Sequence, residues 1–342
     1  IFGYNLVSAS LASILFTALT LIPVYRLGRR LYGEEVGRYA LALFLITPNF
    51  VMFTGTSMDG PFSVFPIFGV YLFYKSIALH PLKTGLPSAA PTEREEHRAE
   101  FLYRFFTEKR RNRLRAMRRQ LRTWHVYSLL TGVALALGMF MTYSTVVIGI
   151  FLCVLTLLPL ARLETAPIGN WRSNFVRHLK VVLVAGAGFV AFYLLLFVLT
   201  GFRPLEALWA AIKKDEAGMG TGYESIARYF HISFANLFAF LMGIGIPITT
   251  VWIRHLGKTA RAWRENGTVD TFVIGYVITL LFFTFSTLFT MEVERIWIFM
   301  VLFLVIPVAK HLTERPLADF YWVAGLLIVQ LIVSEVLLYT YW

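Results

Sequence analysis

Long apolar runs recur through the whole chain, separated by short polar breaks, and this pattern limits the fold more than any motif does. Ten runs are visible, at 5–25, 36–56, 61–79, 125–143, 145–162, 181–201, 234–253, 270–289, 296–311 and 320–341. About 20 apolar residues is the length at which a helix crosses the hydrocarbon core of a bilayer. No water is available there to satisfy backbone polar groups, so each run must close its own hydrogen bonds as a helix. The runs are too long for barrel strands and lack strict alternation. Only 15% of the residues are charged and 57% are hydrophobic, against about a quarter charged in a soluble domain. The expected fold is all-α, a polytopic membrane protein of ten transmembrane helices. The division between 125–143 and 145–162 is the faintest, resting on Thr142-Tyr143-Ser144-Thr145.

Charge orients the runs. With Arg26, Arg29, Arg30 and Arg38 placed in the cytoplasm, alternation puts 80–124, 163–180, 254–269 and 312–319 there as well. Arg203, Lys213, Lys214, Arg228 and Arg295 then lie outside, leaving 27 of the 32 lysines and arginines inside, as the positive-inside rule requires. The net charge of +12 therefore reports topology and gives no argument for nucleic acid. Three blocks follow: helices 1–79 with an outer hairpin, a basic cytoplasmic insert 80–124, and helices 125–342 with an outer, lid-like loop 202–233. The insert opens on a linker at 81–92, then reads as a helix over 93–124 with Phe101, Leu102, Phe105 and Phe106 on a partial apolar face. Its basic run Lys109–Arg122 suits anionic headgroups. The aromatics form one helical face and not an interleaved stacking surface, so nucleic acid is not an expected partner. The expected location is a prokaryotic plasma (inner) membrane.

On the outer side two constellations carry chemistry. Asp59 sits in the tight break Thr56-Ser57-Met58-Asp59-Gly60-Pro61, and ionisable groups at a membrane edge are costly and often functional. Glu292, Glu294 and Arg295 fall in a second short break, followed by Ile296-Trp297-Ile298-Phe299. Glu292 and Arg295 are three apart and share a face if helical. A guanidinium there suits a phosphate through its planar, permanently charged fork. The plainer alternative is an interfacial ion pair beside an aromatic anchor. In the loop 202–233, Leu205, Leu208, Trp209 and Ile212 have helical spacing ahead of Lys213 and Lys214, which reads as an amphipathic helix on the outer leaflet. Gly218–Gly222 is a hinge-like stretch without the lysine and preceding strand of a phosphate-binding loop. Arg228 and His231 come next, placed either to meet a lipid phosphate or simply to be solvated. Glu335 lies late in the last run, facing the bundle or reaching the interface. The single cysteine, Cys153, has no partner for an internal disulfide, and the seven histidines are scattered without zinc-ligand spacing.

The turn Tyr25-Arg26-Leu27-Gly28-Arg29-Arg30-Leu31-Tyr32-Gly33, the following helix through Thr47-Pro48, and Thr56-Ser57-Met58-Asp59-Gly60-Pro61-Phe62 resemble GT-C-fold glycosyltransferases. The group meant is that of the protein O-mannosyltransferases and aminoarabinose transferases. Glu292-Val293-Glu294-Arg295-Ile296-Trp297 looks like the late outer acidic–arginine motif of the same group. The match covers most of the chain in layout and few residues in identity. By the resemblance, the first visible helix corresponds to the family's second, and 202–233 to the loop that covers its lipid-linked donor. The chain starts at Ile1 without a charged leader, and the expectation is that it lacks its natural N-terminus. The first outer loop, with the leading catalytic aspartate, would then lie upstream, and no Asp-x-Asp motif is present.

What the resemblance implies is sugar transfer from a polyprenyl-phosphate donor to a protein, lipid or glycan acceptor at the outer face, with inversion. A carboxylate acts as base and a cation stabilises the departing phosphate. Asp59 would be the second acidic residue of the site, with Glu292 and Glu294 as the other catalytic candidates. Arg295, Arg228, His231, Lys213 and Lys214 would hold the lipid phosphate. Some relatives use a divalent metal; the residues present require none. Two other classes compete. A transporter or flippase would place polar or broken helices near the midplane, often in repeated halves; a non-catalytic or degenerate membrane subunit would keep the layout without turnover.

Overall fold

The computed structural model describes residues 6–80, 123–161, 171–219, 223–267, 269–286 and 293–336. Helices α1 (Leu6–Thr17) and α2 (Leu21–Tyr32), joined by a short 3-10 turn, make one 27-residue span. Then come α3 (Glu34–Leu45), α4 (Pro48–Thr54) and α5 (Asp59–Leu79). Helix α6 (Thr123–Met141) is followed by α7 (Val146–Leu157) within the span Tyr143–Ala161. The rest are α8 (Trp171–Thr200), α9 (Pro204–Met219), α10 (Ile226–Ile244), α11 (Ile246–Asn266), α12 (Thr271–Ser286), the single turn α13 (Val293–Ile296), α14 (Val301–Thr313) and α15 (Leu317–Val336). No strand occurs among the described residues.

Eight of the ten expected runs overlap a single helical unit and two fall across bent helix pairs, and they are not ten equal spans. Among the described residues, six helices are long and apolar enough to cross a membrane, two bent pairs raise this to eight, and Thr271–Ser286 and Ile298–Thr313 are shorter apolar helices. The faint division near Tyr143 is real: Thr142 is extended and a 3-10 turn over Tyr143–Thr145 starts the next span. The insert and its basic helix over 93–124 lie outside the described residues. The lid-like loop forms a helix over most of its first half, with α9 running through Gly218 and Met219; residues 220–222 of the expected hinge lie outside the described residues.

Two expected straight runs are broken. Run 36–56 bends by 55° between α3 and α4. Thr47, before Pro48, is extended (φ −66°, ψ 125°), because the proline ring excludes the residue before it from helical geometry. Run 234–253 straddles a 109° bend between α10 and α11. Gly245 takes φ +118° there, a backbone state open chiefly to glycine, and Pro247 has no N–H to continue the preceding helix. A Cβ on Gly245 would sit 2.4 Å from Leu327 Cδ2. The break is bridged from α15: the Ile246 N–H donates to Gln330 Oε1 (2.8 Å), and Gln330 Nε2 donates to the Met242 carbonyl (2.9 Å). One amide side chain thereby satisfies the donor that the bend removes from helical pairing and adds a second bond to the Met242 carbonyl, which also accepts from the Gly245 N–H (3.1 Å).

Helix α14 is the centre of the bundle. Every residue from Val301 to Ala309 is buried, and Phe303 stacks on Tyr276 (ring centroids 5.0 Å apart, 5° between planes) and on Phe272, with Phe151 edge-on. Its C-terminal end is fixed by Lys310, whose Nζ lies 3.0 Å from Asp270 Oδ2 and 4.3 Å above the Tyr32 ring. The Tyr32 hydroxyl donates to Asp270, 2.9 Å from each carboxylate oxygen. Asp270 thus ties together the ends of α2, α12 and α14. Helix α2 packs on α3 where Gly28 meets Gly37; a Cβ on Gly37 would lie 2.8 Å from the Tyr25 carbonyl, a small-residue contact that lets membrane helices approach closely.

Replacing Gln330 with leucine is expected to destabilise the protein by about 1–3 kcal/mol, the cost of leaving backbone polar groups unpaired on a lipid-facing surface. Gly149→Ala, where a Cβ meets nothing within 4 Å, serves as the neutral control. Reversible unfolding in mixed detergent micelles measures both, and equal stability of the two variants would remove Gln330 from its bridging role.

Candidate active site

Asp59 is the first residue of α5, and the tip carrying it is tightly held. Ser57 Oγ donates to Asp59 Oδ2 (3.0 Å) and accepts from the Asp59 N–H (3.1 Å). Ser13 Oγ on α1 donates to the Thr54 carbonyl at 2.6 Å. A Cβ on Gly60 would lie 2.8 Å from Thr17 Oγ1 and 3.1 Å from Thr54 Cα, so this glycine seats the hairpin directly against α1 and α4. Pro61 falls in the first turn, where its missing N–H has no helical partner to lose. A carboxylate in a first turn also interacts favourably with the helix dipole.

Arg295 stands on α13, a single turn fastened by its neighbours. Val293 and Trp297 are fully buried, and the Trp297 N–H donates to the Val293 carbonyl (3.0 Å). The Trp297 ring packs edge-on against Phe240 of α10 (5.3 Å) and Phe283 of α12 (6.1 Å). With those two side chains directed inward, Arg295 reaches across to α5. Its Nε lies 2.8 Å from Asp59 Oδ2, with side chains 27% and 19% exposed respectively. Two residues 236 positions apart therefore form one half-buried ion pair.

The other expected site residues are placed as follows. Glu292 lies outside the described residues; Glu294 is on α13, and its side chain is likewise outside them. Arg228, in the first turn of α10, pairs with Glu224 (3.3 Å). His231 is exposed one turn further on. Tyr229 and Tyr223 donate to the Phe285 (2.8 Å) and Ser286 (2.7 Å) carbonyls, so the start of α10 is fastened to the end of α12 just ahead of the segment leading to Arg295. Lys213 and Lys214 are exposed on α9, with Lys213 Nζ 5.6 Å from the Trp209 ring. Leu205 and Trp209 of the same helix are 79% and 60% exposed, an uncovered apolar face of the kind that lies on lipid. Glu335 is exposed near the end of α15, away from the bundle interior. Among the described residues, no three His, Cys, Asp or Glu side chains come together as a metal site.

The bundle has two chemically distinct ends. Asp59 and Arg295 mark one. Tyr32, Asp270 and Lys310 mark the other, close to Arg29, Glu34, Lys258 and Glu314. Ser13, beside the Asp59 tip, is 19 residues from Tyr32 along the α1–α2 span, about 28 Å at helical rise. The pair and the basic end are therefore separated by about the thickness of a bilayer core.

Residues 1–88 match the family model described as dolichyl-phosphate-mannose-protein mannosyltransferase. The match agrees with the GT-C resemblance and contains the Asp59 hairpin, while Arg295 lies beyond it. No curated protein and no solved structure matches the chain. The apolar helices support an integral membrane protein, and residues 1–88 are similar to the mannosyltransferase family.

A double-mutant cycle over Asp59→Asn and Arg295→Gln tests the pair as a unit. At this degree of burial the expected coupling is about 1–3 kcal/mol, above that of an exposed ion pair. Additive losses in micellar unfolding would show that the two side chains do not depend on each other.

Proposed function

We propose that the chain is the membrane body of a glycosyltransferase that takes a sugar from a polyprenyl-phosphate donor and passes it to a hydroxyl acceptor at the membrane face carrying Asp59. The observation that carries this reading is the Asp59–Arg295 pair, which joins an acid and a phosphate-type cation at the end of the bundle remote from the Asp270 cluster. The matched family's description specifies mannose on dolichyl phosphate and a protein acceptor, so these are the first substrates to try.

In the reaction the acceptor oxygen attacks the anomeric carbon. A new carbon–oxygen bond forms as the bond to the phosphate oxygen breaks, and the acceptor proton passes to a carboxylate. The leaving group is a polyprenyl phosphate that gains negative charge as it departs. Arg295 meets that charge. A guanidinium has five donors, more than one carboxylate oxygen takes up, so the group can hold Asp59 and a phosphate together. Asp59 keeps Arg295 oriented and accepts a hydrogen bond from the acceptor hydroxyl. Glu292 and Glu294, next to Arg295 in the sequence, are the further candidate acids. Arg228 and His231 on α10, with Lys213 and Lys214 on α9, are the further candidates for contact with the donor phosphate as it approaches from the lipid. A divalent cation sharing Asp59 would add to Arg295's charge and would not replace it.

Arg295→Ala in the full-length natural protein, reconstituted with a polyprenyl-phosphate mannose donor and a peptide acceptor, is expected to lower kcat by about 10²–10³-fold, as for loss of one transition-state donor. Arg295→Lys is expected to recover part of that loss through its point charge. Unchanged turnover in folded Arg295→Ala would remove Arg295 from the site; vesicular uptake of substrate without any sugar product would favour a transporter instead.

A further inference from the structure

At the opposite end of the bundle, α11, α14 and α15 border a half-open cavity of about 240 Å³ lined by Val251, Arg254, His311, Leu312, Arg315, Asp319, Trp322 and Val323, with Arg254 and Arg315 themselves exposed. Three of these are basic. Neither guanidinium has a carboxylate within ion-pair distance among the described residues, although Lys258–Glu314 and Lys310–Asp270 nearby are paired. Asp319 stands on the wall as the one acid. His311 is 8% exposed, and its Nδ1 has no hydrogen-bond partner among the described residues. Two arginines and an unsatisfied imidazole nitrogen around one cavity form an anion site, and the planar forks suit a phosphate.

The remaining walls say which phosphate. Val251, Leu312 and Val323 are apolar, and Trp322 at the mouth is 72% exposed. Helix α15 continues from there with Leu326 and Val329 both more than half exposed, an apolar track leading away from the basic rim. The cavity thus has a charged head and a greasy exit. It lies at the end of the bundle rich in arginine, which the positive-inside rule turns to the leaflet with anionic lipids.

We propose that this cavity holds the phosphate of an anionic phospholipid, with Arg254, Arg315 and His311 on the headgroup and an acyl chain along α15. The inference is independent of the transferase reading.

The test uses the full-length protein in nanodiscs and detergent, with phosphatidylglycerol as probe, phosphatidylcholine as the zwitterionic control and inorganic phosphate as the lipid-free source. Native mass spectrometry and thermal shift read occupancy. Phosphatidylglycerol is expected to remain bound and raise the Tm, with affinity falling about tenfold in Arg254→Gln/Arg315→Gln. Arg315→Gln alone, on an exposed loop position, gives a smaller loss and serves if the double variant folds poorly. Equal retention of phosphatidylcholine, or unaltered phosphatidylglycerol binding in either folded variant, would overturn the proposal. Equal stabilisation by inorganic phosphate would overturn the lipid as its source.

Discussion

Helix α14 is apolar on every side, and although lipid can receive such a helix, here protein encloses it from Val301 to Ala309. The rest of the bundle is arranged to do so. Helices α2, α3, α5, α11, α12 and α15 all pack against it or the turn that leads into it, and rings from α7 and α12 stack on Phe303. Enclosure leaves its polar residues nowhere to go except the ends. At one end Lys310 is received by Asp270 and Tyr32; just before the other, Trp297 plugs the core and Arg295 is turned toward Asp59. The two polar clusters are consequences of one buried helix and are held apart by its length.

That arrangement gives the Asp59–Arg295 pair its character. An exposed ion pair is worth little because water and salt screen it, whereas a fully buried one carries a large desolvation cost. With side chains 19% and 27% exposed, this pair lies between those limits. Its members are mounted on independent supports, a hairpin tip held by Ser13, Thr17 and Ser57 and a helical turn held by Val293 and Trp297. The mounting limits how far either charge relaxes when the other is engaged by a ligand. A cation fixed in this way has little left to reorganise when charge changes beside it, which is the general basis of electrostatic stabilisation.

Much of this was legible in the sequence, because bilayer physics writes strong patterns. The apolar runs foretold the helices, the break at Thr142-Tyr143-Ser144-Thr145 foretold the division before α7, and short polar breaks marked Asp59 and Arg295 as the outer groups of interest. What was not legible follows from tertiary choices. Pro48 sits inside an apolar run, and hydropathy alone does not tell whether such a proline kinks a helix or ends it; here Thr47 becomes extended and the span breaks. Gly245 and Pro247 signalled a break in 234–253, but the 109° turn is sustained by Gln330, 83 positions beyond Pro247. The contact of Asp59 with Arg295 is likewise invisible to any local pattern, since it depends on how α5 and α13 are brought together. Asp270 is the clearest omission. As a lone acid at the start of an apolar run it reads as a helix-start signal, and only packing shows that it gathers Tyr32 and Lys310.

The two broken spans bear on the same end of the molecule. Proline and glycine breaks are tolerated in membrane helices only where neighbouring groups satisfy the freed backbone. The α10–α11 break has such a partner in Gln330, and the α3–α4 break packs close by, since a Cβ on Gly245 would lie 3.5 Å from Pro48 Cδ. Their short or oblique arms, α4 and α10, meet α13. The supports of Arg295 are thus made from segments that have left the regular helical ladder, whereas the Asp270 end is built on unbroken α2, α12 and α14. A bundle that ties straight helices at one end and gathers its breaks around a single ion pair at the other builds the surroundings of that pair from irregular backbone, held in place by Gln330, Tyr223 and Tyr229.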